Sequence, residues 1–238
     1  MKAPHGAERN DEYYWLRDDK RENKEMLAYL NAENAYTDAV LQPLEALEET
    51  LYNELVGRVK QDDSSVPYFE DGYWYYTRFE TGKEYPIHAR RKGSLDAEEQ
   101  VLFEVNELAA GKSFYQIGTY EISPDDRLVA YAEDTNGRRQ YTVRIKDLAT
   151  GELLPDVITG VSANLMWGDD GRTLYYRAMK RPGFEADRLA LMALDLRKGK
   201  AREIAPAWDR SADGIVLSAN GKAIYTTAYD VGTHPLFS

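Results

Sequence analysis

The 238-residue chain contains no cysteine. Disulfides, cysteine-ligated zinc, iron–sulfur clusters and thiol catalysis are therefore excluded. Histidine is scarce too: His5, His88 and His234 are the only imidazoles on which a catalytic site within these residues can draw. No stretch approaches the ~18 apolar residues of a membrane-crossing helix, so no membrane partner is expected. The opening Met1-Lys2-Ala3-Pro4-His5-Gly6-Ala7-Glu8 holds no apolar core of a secretory signal. A cytoplasmic location is expected, or a periplasmic one if the chain is processed from a precursor. Positive charge is in deficit, with 30 Lys plus Arg against 41 Asp plus Glu, a net charge of −11. Such a surface repels phosphate backbones, so nucleic acid is not an expected partner, and it favours cationic ligands such as Lys- or Arg-rich peptides.

Tyrosine is the residue in excess, at 18 against 6 Phe and 4 Trp. It favours strands and half-buried surfaces, which points to a β-rich protein. The first 62 residues read differently, as a helical segment. After Asp18-Asp19, the residues Met26, Leu27, Leu30, Ala35, Ala39 and Val40 fall near one helical face. Pro43 suits the first turn of a second helix. There Leu44, Leu47, Leu51 and Leu55 form an apolar stripe, with Glu45, Glu48 and Glu49 in the early turns where the dipole favours negative charge. Gln61-Asp62-Asp63-Ser64-Ser65 reads as a linker.

From Val66 the helical period gives way to short strand-like runs. These are Tyr73-Trp74-Tyr75-Tyr76-Thr77, Val101-Leu102-Phe103, Leu128-Val129-Ala130-Tyr131, Tyr141-Thr142-Val143-Arg144-Ile145, Leu174-Tyr175-Tyr176 and Ile224-Tyr225-Thr226. Hairpin signals such as Asp71-Gly72, Asn136-Gly137, Asp170-Gly171 and Asn220-Gly221 separate them. One turn repeats: Ser123-Pro124-Asp125-Asp126-Arg127, Gly168-Asp169-Asp170-Gly171-Arg172 and Ser218-Ala219-Asn220-Gly221-Lys222 begin 45 and 50 residues apart. Four-stranded propeller blades recur at about 40–50 residues. The expected fold is mainly β, an incomplete β-propeller of about three and a half blades after the helical segment. The blades fall at about 66–108, 117–156, 161–206 and 212–238, the last incomplete. Open blade edges need a covering partner, a further domain or a second copy.

The stretch Tyr13-Tyr14-Trp15-Leu16-Arg17-Asp18-Asp19, preceded by His5-Gly6, Arg9 and Asp11, resembles the start of the prolyl oligopeptidase family of serine peptidases. Gly57-Arg58-Val59-Lys60-Gln61-Asp62, Gly72-Tyr73-Trp74-Tyr75-Tyr76, Glu84-Tyr85-Pro86-Ile87, Ala132-Glu133-Asp134 and Gly137-Arg138-Arg139-Gln140-Tyr141 continue the likeness. Over roughly residues 4–177 it is closest to the oligopeptidase B branch. Beyond that, Arg181-Pro182-Gly183-Phe184-Glu185-Ala186-Asp187-Arg188, the run from Trp208 to Gly214 and His234-Pro235-Leu236-Phe237 are more similar to the dipeptidyl-peptidase and acylaminoacyl-peptidase branch. The resemblance implies a propeller over a C-terminal α/β-hydrolase domain that carries a Ser, Asp and His triad. The propeller would admit short peptides, with cleavage after basic residues. It also implies that the helical segment packs on the hydrolase domain, which would leave the leucine stripe exposed here; packing on the first blade is the other reading.

The residues themselves carry little chemistry. No G-x-S-x-G elbow occurs; Gly111-Lys112-Ser113-Phe114-Tyr115 and Gly160-Val161-Ser162-Ala163-Asn164 lack the final glycine. No catalytic residue, metal site or cofactor is therefore expected, and a non-catalytic gating or scaffolding role follows. Asp125/Asp126 and Asp169/Asp170 recur at repeat turns, so turn formation accounts for them better than a metal or glycosidase pair. The densest polar cluster is Glu133, Asp134, Arg138, Arg139 and Tyr141. It reads as a solvated, mutually paired hairpin, or as a set of inter-domain or substrate-gating contacts if the tip faces a catalytic domain. Arg90-Arg91-Lys92 reads as a solvated loop. The tyrosine clusters read as blade packing, with a ligand platform as the alternative. A free-standing peptide- or protein-interaction module and a recombined chain of two related propellers are the rival readings.

Overall fold

The computed structural model describes residues 5, 6, 8 and 10–238; Arg9 of the N-terminal signature lies outside the described residues. The chain divides into two compact units, Met1–Lys60 and Gln61–Ser238. The first holds α1 (Lys24–Leu41) and α2 (Glu45–Gly57), joined by a 3-10 turn over Gln42–Leu44 that contains Pro43. Helix α1 starts after the Asp18-Asp19 pair because Asn23 is its cap, accepting from the N–H groups of Glu25 and Met26. Asp18 is occupied in the turn before, where it accepts from the N–H groups of Lys20, Glu22 and Asn23. The leucines at 44, 47, 51 and 55 are 48–63% exposed. No helix of the described residues is long and apolar enough to cross a membrane.

The second unit is built of antiparallel sheets taken in chain order. Strands β1 (Tyr68–Glu70), β2 (Tyr73–Arg78), β3 (Ile87–Lys92) and β4 (Glu99–Glu104) form blade one. After the short helix α3 (Val105–Ala109) comes a seven-stranded sheet. It comprises β5 (Gln116–Ile122), β6 (Leu128–Asp134), β7 (Tyr141–Asp147), β8 (Leu153–Trp167), β9 (Thr173–Ala178), β10 (Ala190–Asp195) and β11 (Lys200–Glu203). A three-stranded sheet of β12 (Val216–Leu217), β13 (Ile224–Thr227) and β14 (Leu236–Phe237) ends the described chain. The protein is mainly β, a propeller with open sheets that follows a helical segment in the chain.

The seven-stranded sheet is blades two and three joined by one strand. The first part of β8 pairs with β7, at Leu153 with Lys146 and Ile158 with Val143. Its last part pairs with β9, at Leu165 with Tyr176 and Trp167 with Leu174. Val161 faces both neighbours, opposite Tyr141 and Ala178. Residues 157–160, which the sequence reading leaves between blades, are strand because Val157, Ile158 and Thr159 are β-branched. The pairing with β7 shifts register between Ile158 and Val161, across Gly160, whose φ is +68° and where a Cβ would lie 2.5 Å from Pro182 Cγ.

The repeated turn is the same structure three times. The N–H groups of Ser123, Gly168 and Ser218 donate to the carbonyls of Leu128, Thr173 and Ala223 at 2.8, 2.7 and 2.9 Å. Asp125, Asp170 and Asn220 each accept from the backbone N–H two residues on, at 3.3, 3.0 and 3.1 Å. The following residue takes the left-handed conformation: Asp126 at +58°, Gly171 at +63° and Gly221 at +63°. The sequence period is therefore a backbone requirement.

The core lies at the blade seams. Tyr75, Leu102 and Phe103 of blade one meet Tyr115 of the connecting segment and Val129 and Tyr131 of blade two. Val143 and Ile145 meet Leu165, Trp167 and Leu174 between blades two and three. Leu191 meets Ala212 and Ile215 before the last sheet. Each fully buried Leu, Ile or Val contributes about 1.5–3 kcal/mol.

Arg90-Arg91-Lys92 corrects the sequence reading: it is not a solvated loop but part of β3, and Arg90 is 1% exposed. The guanidinium is buried because it is satisfied. Nε donates to Gln100 at 2.8 Å, and Nη1 donates to the Tyr75 hydroxyl at 3.1 Å and to Asp126 at 3.0 Å. The Tyr73 ring lies 3.8 Å from its centre.

Candidate functional site

The polar cluster around the β6–β7 hairpin is divided rather than mutually paired. Successive strand residues point to opposite faces, so Glu133 and Asp134 part. Glu133 is buried and accepts from the Tyr115 hydroxyl at 2.8 Å and from Arg144 Nε at 2.5 Å. Burial and this bond push the Tyr115 phenol well up. Asp134 is 1% exposed and ties the turn, accepting from the N–H groups of Asn136, Gly137 and Arg139 at 2.9, 3.0 and 2.8 Å. Tyr141 is buried against Gly118, where an added Cβ would lie 2.4 Å from Tyr141 Cε1 and 2.8 Å from Ala163 Cβ. Only Arg138 and Arg139 are exposed, and neither guanidinium forms an ion pair among the described residues. Both rim a cavity of about 320 Å³ between the hairpin tips of blades two and three, with Ser162, Pro182 and Glu185.

The histidines do not assemble a triad. His5 is exposed in the first unit. His88 on β3 packs edge-on to Tyr120 at 5.5 Å and Phe103 at 6.2 Å. Burial pushes its pKa down, and its Nδ1 has no hydrogen-bond partner. His234 Nε2 contacts the Asp213 carboxylate, and its ring stacks on Tyr229 at 4.6 Å. Thr227 Oγ1 lies 3.5 Å from the same carboxylate. Among the described residues no hydroxyl is hydrogen-bonded to the His234 or His88 imidazole, so the nucleophile of an imidazole–carboxylate relay is missing.

A second cavity, of about 390 Å³, opens between the first strands of blades one and two. Tyr68, Glu70, Asp71, His88, Tyr120 and Glu121 line it. Tyr68 reaches it from β1 and Tyr120 from β5. Burial pushes the Glu121 carboxyl up to about 7, and the nearby Glu70 charge adds to the shift. Sequence reasoning missed this cleft. The one available signal was a carboxylate placed between Tyr120 and Ile122 in a strand that opens a blade.

The comparisons agree with this geometry. The family described as "Prolyl oligopeptidase, N-terminal beta-propeller domain" matches residues 1–227, across the change of pattern near residue 177. The chain is 66% identical over 191 residues to dipeptidyl aminopeptidase BI of Pseudoxanthomonas mexicana, covering 74% of this chain and 26% of that protein. It is 36% identical over 179 residues to Protease 2 of Moraxella lacunata, covering 72% of this chain and 26% of that protein. The chain thus spans 26% of the length of both curated relatives. Oligopeptidase B from Leishmania major superposes with a TM-score of 0.83 at 25% identity, over 99% of this chain and 33% of that one. Oligopeptidase B from Trypanosoma brucei superposes at 0.79 and 26% identity, over 93% and 31%. Stacked blades, a turn shared by three of the repeats and a family match over nearly all residues place this chain in the prolyl oligopeptidase N-terminal β-propeller family.

Proposed function

We propose that the chain is the gating propeller of an oligopeptidase that hydrolyses short peptides, with basic residues favoured, and that an α/β-hydrolase domain of the same protein supplies the Ser, Asp and His. The carrying observation is the family match over residues 1–227 in a sequence without a G-x-S-x-G elbow. The net charge of −11 and the acidic cleft support a cationic substrate. Arg138 and Arg139 are the groups on the β6–β7 tip free to meet carboxylates of the hydrolase domain, while Glu133, Asp134 and Tyr141 hold that tip in place. A fluorogenic dipeptide with basic side chains tests the reading. The 238-residue chain is expected to give no turnover, and the full-length peptidase to give turnover that a serine-directed inhibitor stops. In the full-length protein, Arg138→Ala/Arg139→Ala is expected to raise cleavage of longer peptides relative to dipeptides. Inhibitor-sensitive turnover by the chain alone sinks the proposal. A discrete symmetric oligomer that binds peptides, with no peptidase activity in the full-length protein, supports a free-standing interaction module instead.

A further inference from the structure

We propose that the groove between blade three and the last sheet binds a small aromatic carboxylate, with the ring against Trp208 and Phe237 and the carboxylate between Arg202 and Lys222. The groove is a cavity of about 540 Å³, within the range of small-molecule sites. Blade three supplies Tyr175 on β9, Leu191 on β10 and Arg202 on β11, and the segment after β11 adds Ile204 and Trp208. Arg202 and Tyr175 both stand opposite Ala193 in the ladder, so they share one face of the blade. The last sheet supplies Ile224 from β13 and Phe237 from β14, and the turn before β13 supplies Lys222.

Two features select this ligand. The first is an aromatic wall that the chain holds in place. The Trp208 ring meets Phe237 edge-on at 5.2 Å. The Trp208 N–H donates to the Ala205 carbonyl at 3.0 Å, and its own carbonyl accepts from Arg188 Nη1 at 2.9 Å. The Ile204 N–H donates to the Leu191 carbonyl at 2.9 Å, which ties the same segment to β10. A planar ring therefore meets a wall whose backbone is already fixed, and little ordering is left to pay on binding. The second feature is charge. The chain carries a net −11, yet no Asp or Glu side chain lines this groove, whereas Arg202 and Lys222 both do. Both are exposed, and neither forms an ion pair among the described residues. Glu203, next to Arg202 in the chain, is engaged by Arg188 instead, and Asp169 packs against Gly221 without lining the groove. Two unpaired cations on an apolar cavity, in an otherwise acidic protein, complement an anion with an apolar body. A neutral ring gains the apolar contacts alone.

Isothermal titration of the full-length protein with cinnamate, matched against the neutral cinnamyl alcohol, tests the site. Cinnamate is expected to bind about tenfold or more tightly than the alcohol, the gain that one charge-assisted contact supplies. Arg202→Ala/Lys222→Ala is expected to bring cinnamate down to the affinity of the alcohol and to leave the alcohol within about twofold of its wild-type value. Ala223→Trp, which fills the groove, is expected to remove binding of both probes. Heat rather than turnover is read, so the result stands apart from the peptidase reading. Equal affinity for the two probes, or cinnamate binding unmoved in the double variant, overturns the inference. Binding by the 238-residue chain but not by the full-length protein overturns it too, because the rest of the protein then fills the groove. Should Ala223→Trp fail to fold, the double variant decides, since both of its positions are exposed.

Discussion

The Arg90 guanidinium and the Asp126 carboxylate meet 3.0 Å apart across the seam between blade one and blade two. Asp126 holds a left-handed backbone where the next two repeats have Gly171 and Gly221. The conformation costs an L-residue about 1 kcal/mol or more, and the partner for the buried cation offsets it. Asp126→Gly relaxes the backbone but leaves Arg90 short of an acceptor, a loss of about 1–3 kcal/mol. The expected result is a lower urea midpoint with unchanged slope. A higher midpoint would mean that the backbone cost outweighs the ion pair.

Gly118 on β5 is fixed by space. Gly118→Ala drives a methyl into Tyr141 and Ala163, at the 2.4 and 2.8 Å already noted. Overpacking of this kind costs about 1–3 kcal/mol. Thermal unfolding should show it as a fall in Tm. The double variant Gly118→Ala/Tyr141→Leu should recover part of the loss, because the ring is the nearer obstacle.

Stability should depend on pH through two carboxylates of opposite sign. Arg78 holds the Glu99 carboxyl below its ordinary value of 4.5, with a further hydrogen bond from Tyr76. Its contribution is present above pH 4.5 and lost as pH falls through the lower folded value. Glu121 is raised instead, from 4.5 to about 7. Its contribution is complete below pH 4.5 and lost as pH rises through about 7. Tm measured across pH should therefore fall at both ends. Glu99→Gln should flatten the acid limb and Glu121→Gln the limb near neutrality. Superimposable profiles for either variant and wild type would refute that half of the assignment.

Leu47 and Leu51 are 54% and 48% exposed on α2. In the isolated chain this stripe should bind a hydrophobic dye and promote self-association. Leu47→Glu/Leu51→Glu should reduce dye fluorescence severalfold while leaving the unfolding midpoint of the sheets in place. Unchanged fluorescence would show that the dye reads another surface.

Turn chemistry made the blades legible. Asp125, Asp170 and Asn220 each accept from the N–H two residues on, and a residue free to take positive φ follows, so local geometry wrote itself into the spacing. The candidate site was less readable because its contacts are remote. Arg90 looked solvated among Arg91 and Lys92, since the acceptor that permits its burial lies at 126. Glu133 and Asp134 looked like one cluster, yet one serves a partner at 144 and the other its own turn. The cleft is written at 68–71 and again at 120–121, and no short-range pattern joins those stretches.

Strand β8 carries the chain from one blade to the next as a single strand, paired with β7 along its first part and with β9 along its last. Fraying that frees β9 also strips a neighbour from the strand that shields β7, so these two blades should melt as a single block. Breathing then concentrates where the ladder is broken, in 105–115 and 204–215. Those are the stretches that a protease should nick first.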